Sequence, residues 1–241
     1  HILGGETEID GVTIRGGVSF NQVGNGIFLY SGTLRLRRSQ VVENANEDEA
    51  GGGIYVADQG NLIVHNVTIA RNTSANGAGI YNSGVVSVTN SLISDNTAVG
   101  PYVSGGGIEN RGSLFMSNST VSGNSAEGWG GGISSIGDAT LFSVTVSNNT
   151  AVLRGGGGIY VPDGSMFLLD TIVSGNFDLS SLAPDCSGTV NSLGWNLIHR
   201  TDDCTVTGTT SGNILGYSAI LEPLQDNGGP TLTHALHFLS P

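Results

Sequence analysis

Hydrophobic residues alternate with polar ones over short runs in this chain, and the runs recur. Leu62, Val64 and Ile69 alternate with polar neighbours, and Leu114, Met116 and Val121 do the same. That is the period of a strand rather than a helix. The runs lie in eleven-residue segments that end in asparagine: 34–44, 62–72, 86–96, 114–124, 139–149 and 166–176. The terminal asparagines stand 28, 24, 28, 25 and 27 positions apart. A glycine marker precedes each segment: GNGI at 24–27, GGGI at 51–54, GAGI at 77–80, then GGGI at 105–108, 130–133 and 155–159, the last with one extra glycine. An earlier half-repeat, TEIDGVTIRGG from Thr7 to Gly17, fits the same template but ends in glycine.

One such unit cannot bury its apolar side alone, so the units must stack. Parallel stacking with this coil length predicts an all-β chain, a right-handed parallel β-helix of about six to seven coils with roughly 26 residues per coil. The expected division is β-helix coils over 1–180 and a final coil with a cap segment over 181–241, in one continuous domain. Asn44, Asn72, Asn96, Asn124, Asn149 and Asn176 then fall above one another, where side-chain amides can bond from coil to coil. The glycine marker fits a corner that needs positive φ or has no room for a side chain. A β-propeller needs about 40 residues per blade, a leucine-rich repeat needs LxxLxL spacing, and calcium-binding nonapeptides need GGxGxD; none is present.

Charge narrows the partners. Glycine supplies 39 of 241 residues and charged residues only 12%; there are 8 arginines, no lysine and 20 acids, a formal charge of −12. Nucleic acid and anionic lipid surfaces both require basic clusters, so neither is expected. No apolar run reaches the ~18 residues of a membrane-spanning helix. The chain opens HILGGETEID, without methionine or signal peptide, as a processed or truncated product would. Cys186 and Cys204 form no CxxC pair and have no histidine cluster around them, which disfavours zinc and favours one disulfide in an exported protein. No cofactor or metal is called for.

Stacking creates columns in which side chains from successive coils meet. The residues just before the ladder asparagines are Glu43, Arg71, Asp95, Gly123, Asn148 and Gly175. Glu43, Arg71 and Asp95 on successive coils form either a surface ion triplet or a catalytic constellation with Arg71 as base. The neighbouring column, Val42, Ala70, Ser94, Ser122, Ser147 and Ser174, is small and offers no acid. Without lysine there is no phosphate loop, and the glycine marker repeats as a corner would. Insertions in a solenoid gather on one side. Here they place Glu47, Asp48, Glu49, Tyr102, Glu127, Trp129 and Arg154 together. Tyr102, Trp129, Arg154 and Asp48 are the candidate ligand-binding residues, the rings by stacking on sugar faces or anchoring a protein. The acids 47–49 read as a solvated run. Four Asn-x-Ser/Thr sites, at Asn66, Asn72, Asn118 and Asn148, follow from the abundance of these residue types.

The glycine markers and asparagine ends resemble the GGAI and FxxN repeats of polymorphic outer-membrane proteins, bacterial surface β-helix adhesins. The phenylalanine of that pattern is absent here, so the likeness is to the broad class. DCSGTVNSLGWNLIHRTDDC over 185–204 and LEPLQDNGGPTLTHAL over 221–236 resemble the choice-of-anchor type β-helix segment of large secreted or surface proteins. The chain stops at FLSP, before the anchor stretch those proteins carry. The resemblance implies a secreted or cell-surface location.

These observations lead to a non-enzymatic extracellular β-helix, structural or adhesive, with itself or a cell-surface glycan or protein as partner. Its terminal coils expose unpaired edges, and end-to-end docking would build a filament. The tail after Cys204 is expected to cap the C-terminal end. A carbohydrate-active enzyme, tested at Arg71, Asp95 and Glu43, and a glycan-binding module are the alternatives.

Overall fold

The computed structural model describes residues 1–18, 23–180 and 184–241, and every regular element among them is a strand. The 180/181 boundary expected from sequence abuts residues outside the described set. All named strand pairs are parallel, and each strand pairs with its equivalent one coil away. The chain is a β-solenoid with three sheets running along its axis.

Each coil begins at the glycine corner with a short strand such as Ile80–Asn82 or Ile108–Asn110. A turn leads to a second strand, such as Val85–Thr89 or Ser113–Ser117. In Ile27–Arg37 and Ile54–His65 the two arms are continuous, which is why they belong to one 13-stranded sheet. A left-handed residue then turns the chain into the nine-stranded sheet, exemplified by Leu92–Ser94. A second left-handed residue and the ladder asparagine lead into the six-stranded sheet, as at Thr97–Ala98. From there a loop of variable length returns to the next glycine corner.

Parallel register converts the alternation of the sequence into apolar columns. Leu34, Leu62, Val86, Leu114, Ala139 and Met166 are aligned through successive pairings and all are buried. Val41, Ile69, Ile93, Val121, Val146 and Val173 form a second column in the same way. Burying a side chain of this size is worth ~1.5–3 kcal/mol, so the columns are the main stabilising feature.

The glycine corner is small because the ladder occupies it. A Cβ on Gly53 would lie 2.6 Å from the Gly79 carbonyl and 3.0 Å from Asn72 Nδ2. The leading glycine of the marker has a different need, a positive φ, 66° at Gly105.

At the C-terminal end Cys186–Gly194 pairs with Asp203–Gly208, and the Cys186–Cys204 disulfide joins these neighbours, Cα atoms 5.4 Å apart. The tail beyond Leu215 lies along the side of the nine-stranded sheet rather than over the end. Ala219 N donates to Ser174 Oγ (3.1 Å), and His234 Nε2 bonds Ser122 Oγ (2.9 Å). Asp226 and Gly229–Leu232 meet Val42, Thr68 and Arg71 across a groove. The tail therefore packs on the small column Val42–Ser174, all six members of which are buried. Their small size leaves room for it.

Candidate functional site

Two lines of side chains follow the axis near the glycine corner. The first is internal. Asn44 Nδ2 donates to Asn72 Oδ1, Asn72 to Asn96, Asn96 to Asn124, Asn124 to Asn149 and Asn149 to Asn176, at 2.8–2.9 Å. Each receiving Oδ1 also accepts the backbone N–H of the preceding asparagine, as at Asn96 N to Asn124 Oδ1 (3.1 Å). From Asn72 onward the second amide hydrogen goes to a strand carbonyl of the previous coil, for Asn124 that of Ile93 (2.9 Å). The line ends on Asp185: Asn176 Nδ2 and N both donate to its Oδ1, at 2.9 and 3.0 Å. Arg200 N donates to Asp185 Oδ2 (3.0 Å), and His199 Nδ1 stands 3.5 Å from the same oxygen. Burial raises the Asp185 pKa against the opposing effect of these hydrogen bonds. Asp185 escaped the sequence reading because it lies nine positions after Asn176, where the repeat length would place nothing.

The second line is external. The middle residue of the strand after each glycine corner points outward, and register aligns Phe28, Tyr55, Tyr81, Glu109, Ser134, Tyr160 and Ser187. Phe28 meets Tyr55 edge-on with centroids 5.5 Å apart, and Tyr55 stacks on Tyr81 at 4.9 Å and 10°. Arg111 then covers Tyr81, its Cζ 5.6 Å from the ring centroid. Trp129, from the loop before the next corner but one, stacks on Tyr160 at 5.9 Å and 18°. Arg154 lies over both Trp129 (4.8 Å) and Tyr102 (5.2 Å). Tyr102 is 71% exposed. Burial raises the pKa of Tyr55, Tyr81 and Tyr160, so all three hydroxyls stay protonated at neutral pH.

Glu109 is the buried charge of this line, its side chain only 3% exposed. Ser104 Oγ donates to Oε2 (2.7 Å) and Arg111 Nε stands 3.3 Å from Oε1. Burial raises its pKa, while the hydrogen bonds from Ser104 and Ser134 and the charge of Arg111 oppose the rise. Both oxygens are engaged and screened from solvent, so the carboxyl fixes the 99–104 loop to the sheet. Among the described residues no group of three or more His, Cys, Asp or Glu side chains gathers as a metal site would.

The structure brings Tyr102, Trp129 and Arg154 into one cluster. Asp48 stands apart from it, exposed in the strand Ala45–Ala50 at a register shift. The side chain of Glu47 lies outside the described residues. Arg71 pairs with Glu43 (3.3 Å), and Glu43 also takes Arg15 (2.5 Å). The triplet is thus Arg15–Glu43–Arg71, with Asp95 outside it. These residues occupy left-handed positions, φ 57° at Glu43, 55° at Arg71 and 55° at Asp95, as do Gly123, Asn148 and Gly175. The column is defined first by that backbone requirement, which Gly and Asn meet at least cost.

The family model described as right handed beta helix region matches residues 1–211. The chain belongs to this right-handed β-helix family. Comparisons with curated proteins and with solved structures found no match. The β-helix fold serves structural surface proteins and carbohydrate-active enzymes alike, so the site has to choose between them.

Proposed function

We propose that this β-helix is a non-enzymatic extracellular adhesive protein that offers the Tyr102–Arg154–Trp129–Tyr160 cluster to a cell-surface glycan or protein. The observation carrying this reading is the cluster itself. Three rings and a guanidinium from four coils converge on the loop-bearing side, where exposed aromatics and arginine are the side chains that anchor partners. The disulfide fits an oxidising compartment. No helix of the described residues is long and apolar enough to cross a membrane.

Binding of the full chain to a glycan array and to intact cells tests it. Trp129→Ala and Tyr102→Ala should each weaken retention by about tenfold or more. Unchanged binding by both variants removes the reading. Adhesion to itself, end to end, is the homotypic form: filaments by electron microscopy at rising concentration establish it, and isolated rods at every concentration exclude it. The carbohydrate-active alternative rests on Arg71, Asp95 and Glu43, of which Arg71 and Glu43 are paired. Product formation from acidic polysaccharides, lost in Arg71→Ala, would replace the adhesive reading.

A further inference from the structure

The external line stops at Tyr160. Its register partner on the next coil is Ser187, and beyond that Asp203. Where another ring would continue the stack there is a groove of about 800 Å³, bounded by Tyr160, Asp163, Ser187, Asp202, Asp203 and Thr205 among others. Asp163 and Asp203 are exposed, and both line this groove together with Tyr160.

The protein fills the equivalent place elsewhere with one of its own arginines. The Tyr81 ring is covered by the Arg111 guanidinium, which pairs with the Glu109 carboxylate. The Trp129 ring is covered by Arg154. At Tyr160 the ring and the carboxylates are present, but among the described residues no arginine lines the groove. Arg200, the nearest in sequence, is held by Asp202 (2.7 Å). No ion pair among the described residues uses Asp163 or Asp203.

We propose that this groove receives the guanidinium of an arginine side chain on a partner protein, stacked on Tyr160 and paired with Asp163 and Asp203. A planar guanidinium suits both contacts, since it stacks on a ring face while its edge donates two parallel hydrogen bonds to a carboxylate. The floor is preformed. Ser187 Oγ donates to Asp203 Oδ2 (2.6 Å), and the Cys186–Cys204 disulfide ties the two strands that carry these residues. Little ordering is then required on binding. The proposal goes beyond the adhesive reading: it shares only Tyr160 with that cluster, and its failure leaves that reading standing.

The test titrates N-acetyl-arginine-N-methylamide into the ¹⁵N-labelled full chain and follows amide shifts of Ser187, Gly188 and Asp203. Saturable shifts with a dissociation constant of about 1–10 mM are expected for a single desolvated guanidinium contact. The matching lysine derivative should bind at least about fivefold more weakly. The double variant Asp163→Asn/Asp203→Asn, with unchanged circular dichroism, should lose the shifts, whereas Tyr102→Ala, which leaves Tyr160 and its Trp129 stack in place, retains them. The proposal is overturned by unshifted amides at about 50 mM ligand. Equal binding of the lysine derivative, or a double variant that binds as the parent does, overturns it too.

Discussion

The asparagine ladder and the aromatic line run side by side along the same coils, yet they are built on opposite rules. The ladder is uniform, with one asparagine per coil, all six 4% exposed or less. The aromatic line carries Phe, Tyr, Glu and Ser in turn, from Phe28 through Tyr55, Tyr81, Glu109 and Ser134 to Tyr160. The ladder closes on Asp185 with each Oδ1 and Nδ2 in use. The line ends at a groove. A position that must satisfy the same buried backbone groups at each coil admits one residue type. An outward position at a loop base carries no such demand, and its variation is available for function.

The largest effect that would break this contrast comes from the middle of the ladder. Asn124→Ala strands the Asn96 amide and backbone N–H and leaves Asn149 Oδ1 without its side-chain donor. Buried groups left unpaired cost ~1–3 kcal/mol each, so a loss of about 3 kcal/mol or more is expected in urea unfolding. A loss under about 1 kcal/mol would mean that the ladder follows the coil geometry rather than holding it.

Next in size is the terminator. A carboxylate accepts at both oxygens and suits a site where Asn176 and Arg200 both donate. Asp185→Asn keeps the shape but turns an amide toward the Arg200 N–H or the Asn176 donors. A loss of about 2 kcal/mol is expected, from one donor facing another. Equal stability of the variant would show that water or a local shift of the 199–200 backbone relieves the conflict.

The sequence revealed the regular part of this molecule almost completely. Period-2 alternation and the Asn and Gly columns predict the coils, and the register of Leu62, Val86 and Leu114 agrees with them. What escaped depends on distance along the axis. Asp185 serves the ladder from outside its spacing. Glu109 lies in a strand that resembles its neighbours, and only the Ser104 loop buries it. Tyr55 and Tyr81 carry no signal as single tyrosines in the sequence, because only register stacks them. The tail was expected at the end because terminal edges need cover. The small column Val42–Ser174 was the clue to its actual place, since outward residues of that size leave room for a chain to lie on them.

Glu109 gives a smaller, pH-dependent effect. Its folded pKa is raised, so the folded state holds that proton more tightly than the unfolded chain. Its contribution to stability is complete below the ordinary glutamate pKa and is lost as pH rises through the raised folded value. Glu109→Gln removes this dependence. The stability difference between variant and parent should move in the variant's favour as pH rises from about 4 to 7. Asp185, also raised by burial, leaves a residual slope of the same sign in both proteins. Parallel pH profiles would mean that the carboxyl is hydrated in solution and that the 99–104 loop is open there.

The smallest effect belongs to the column next to the ladder. Glu43 precedes Asn44 and bonds Arg15 and Arg71, but these side chains are 41%, 65% and 55% exposed. Exposed pairs are worth ~0–1 kcal/mol and are screened by salt. Glu43→Gln should therefore cost no more than about 0.5 kcal/mol, vanishing near 1 M salt. Glu43→Gly should be neutral or slightly stabilising, because the left-handed backbone that Gly123 and Gly175 adopt freely strains a residue with a Cβ. Two adjacent positions would then differ several-fold in cost, the buried asparagine against its exposed neighbour. If Glu43→Gln instead cost as much as Asn124→Ala, exposure would not separate structural from variable columns, and the Arg15–Glu43–Arg71 triplet would have to be counted with the ladder as part of what holds the coils in register.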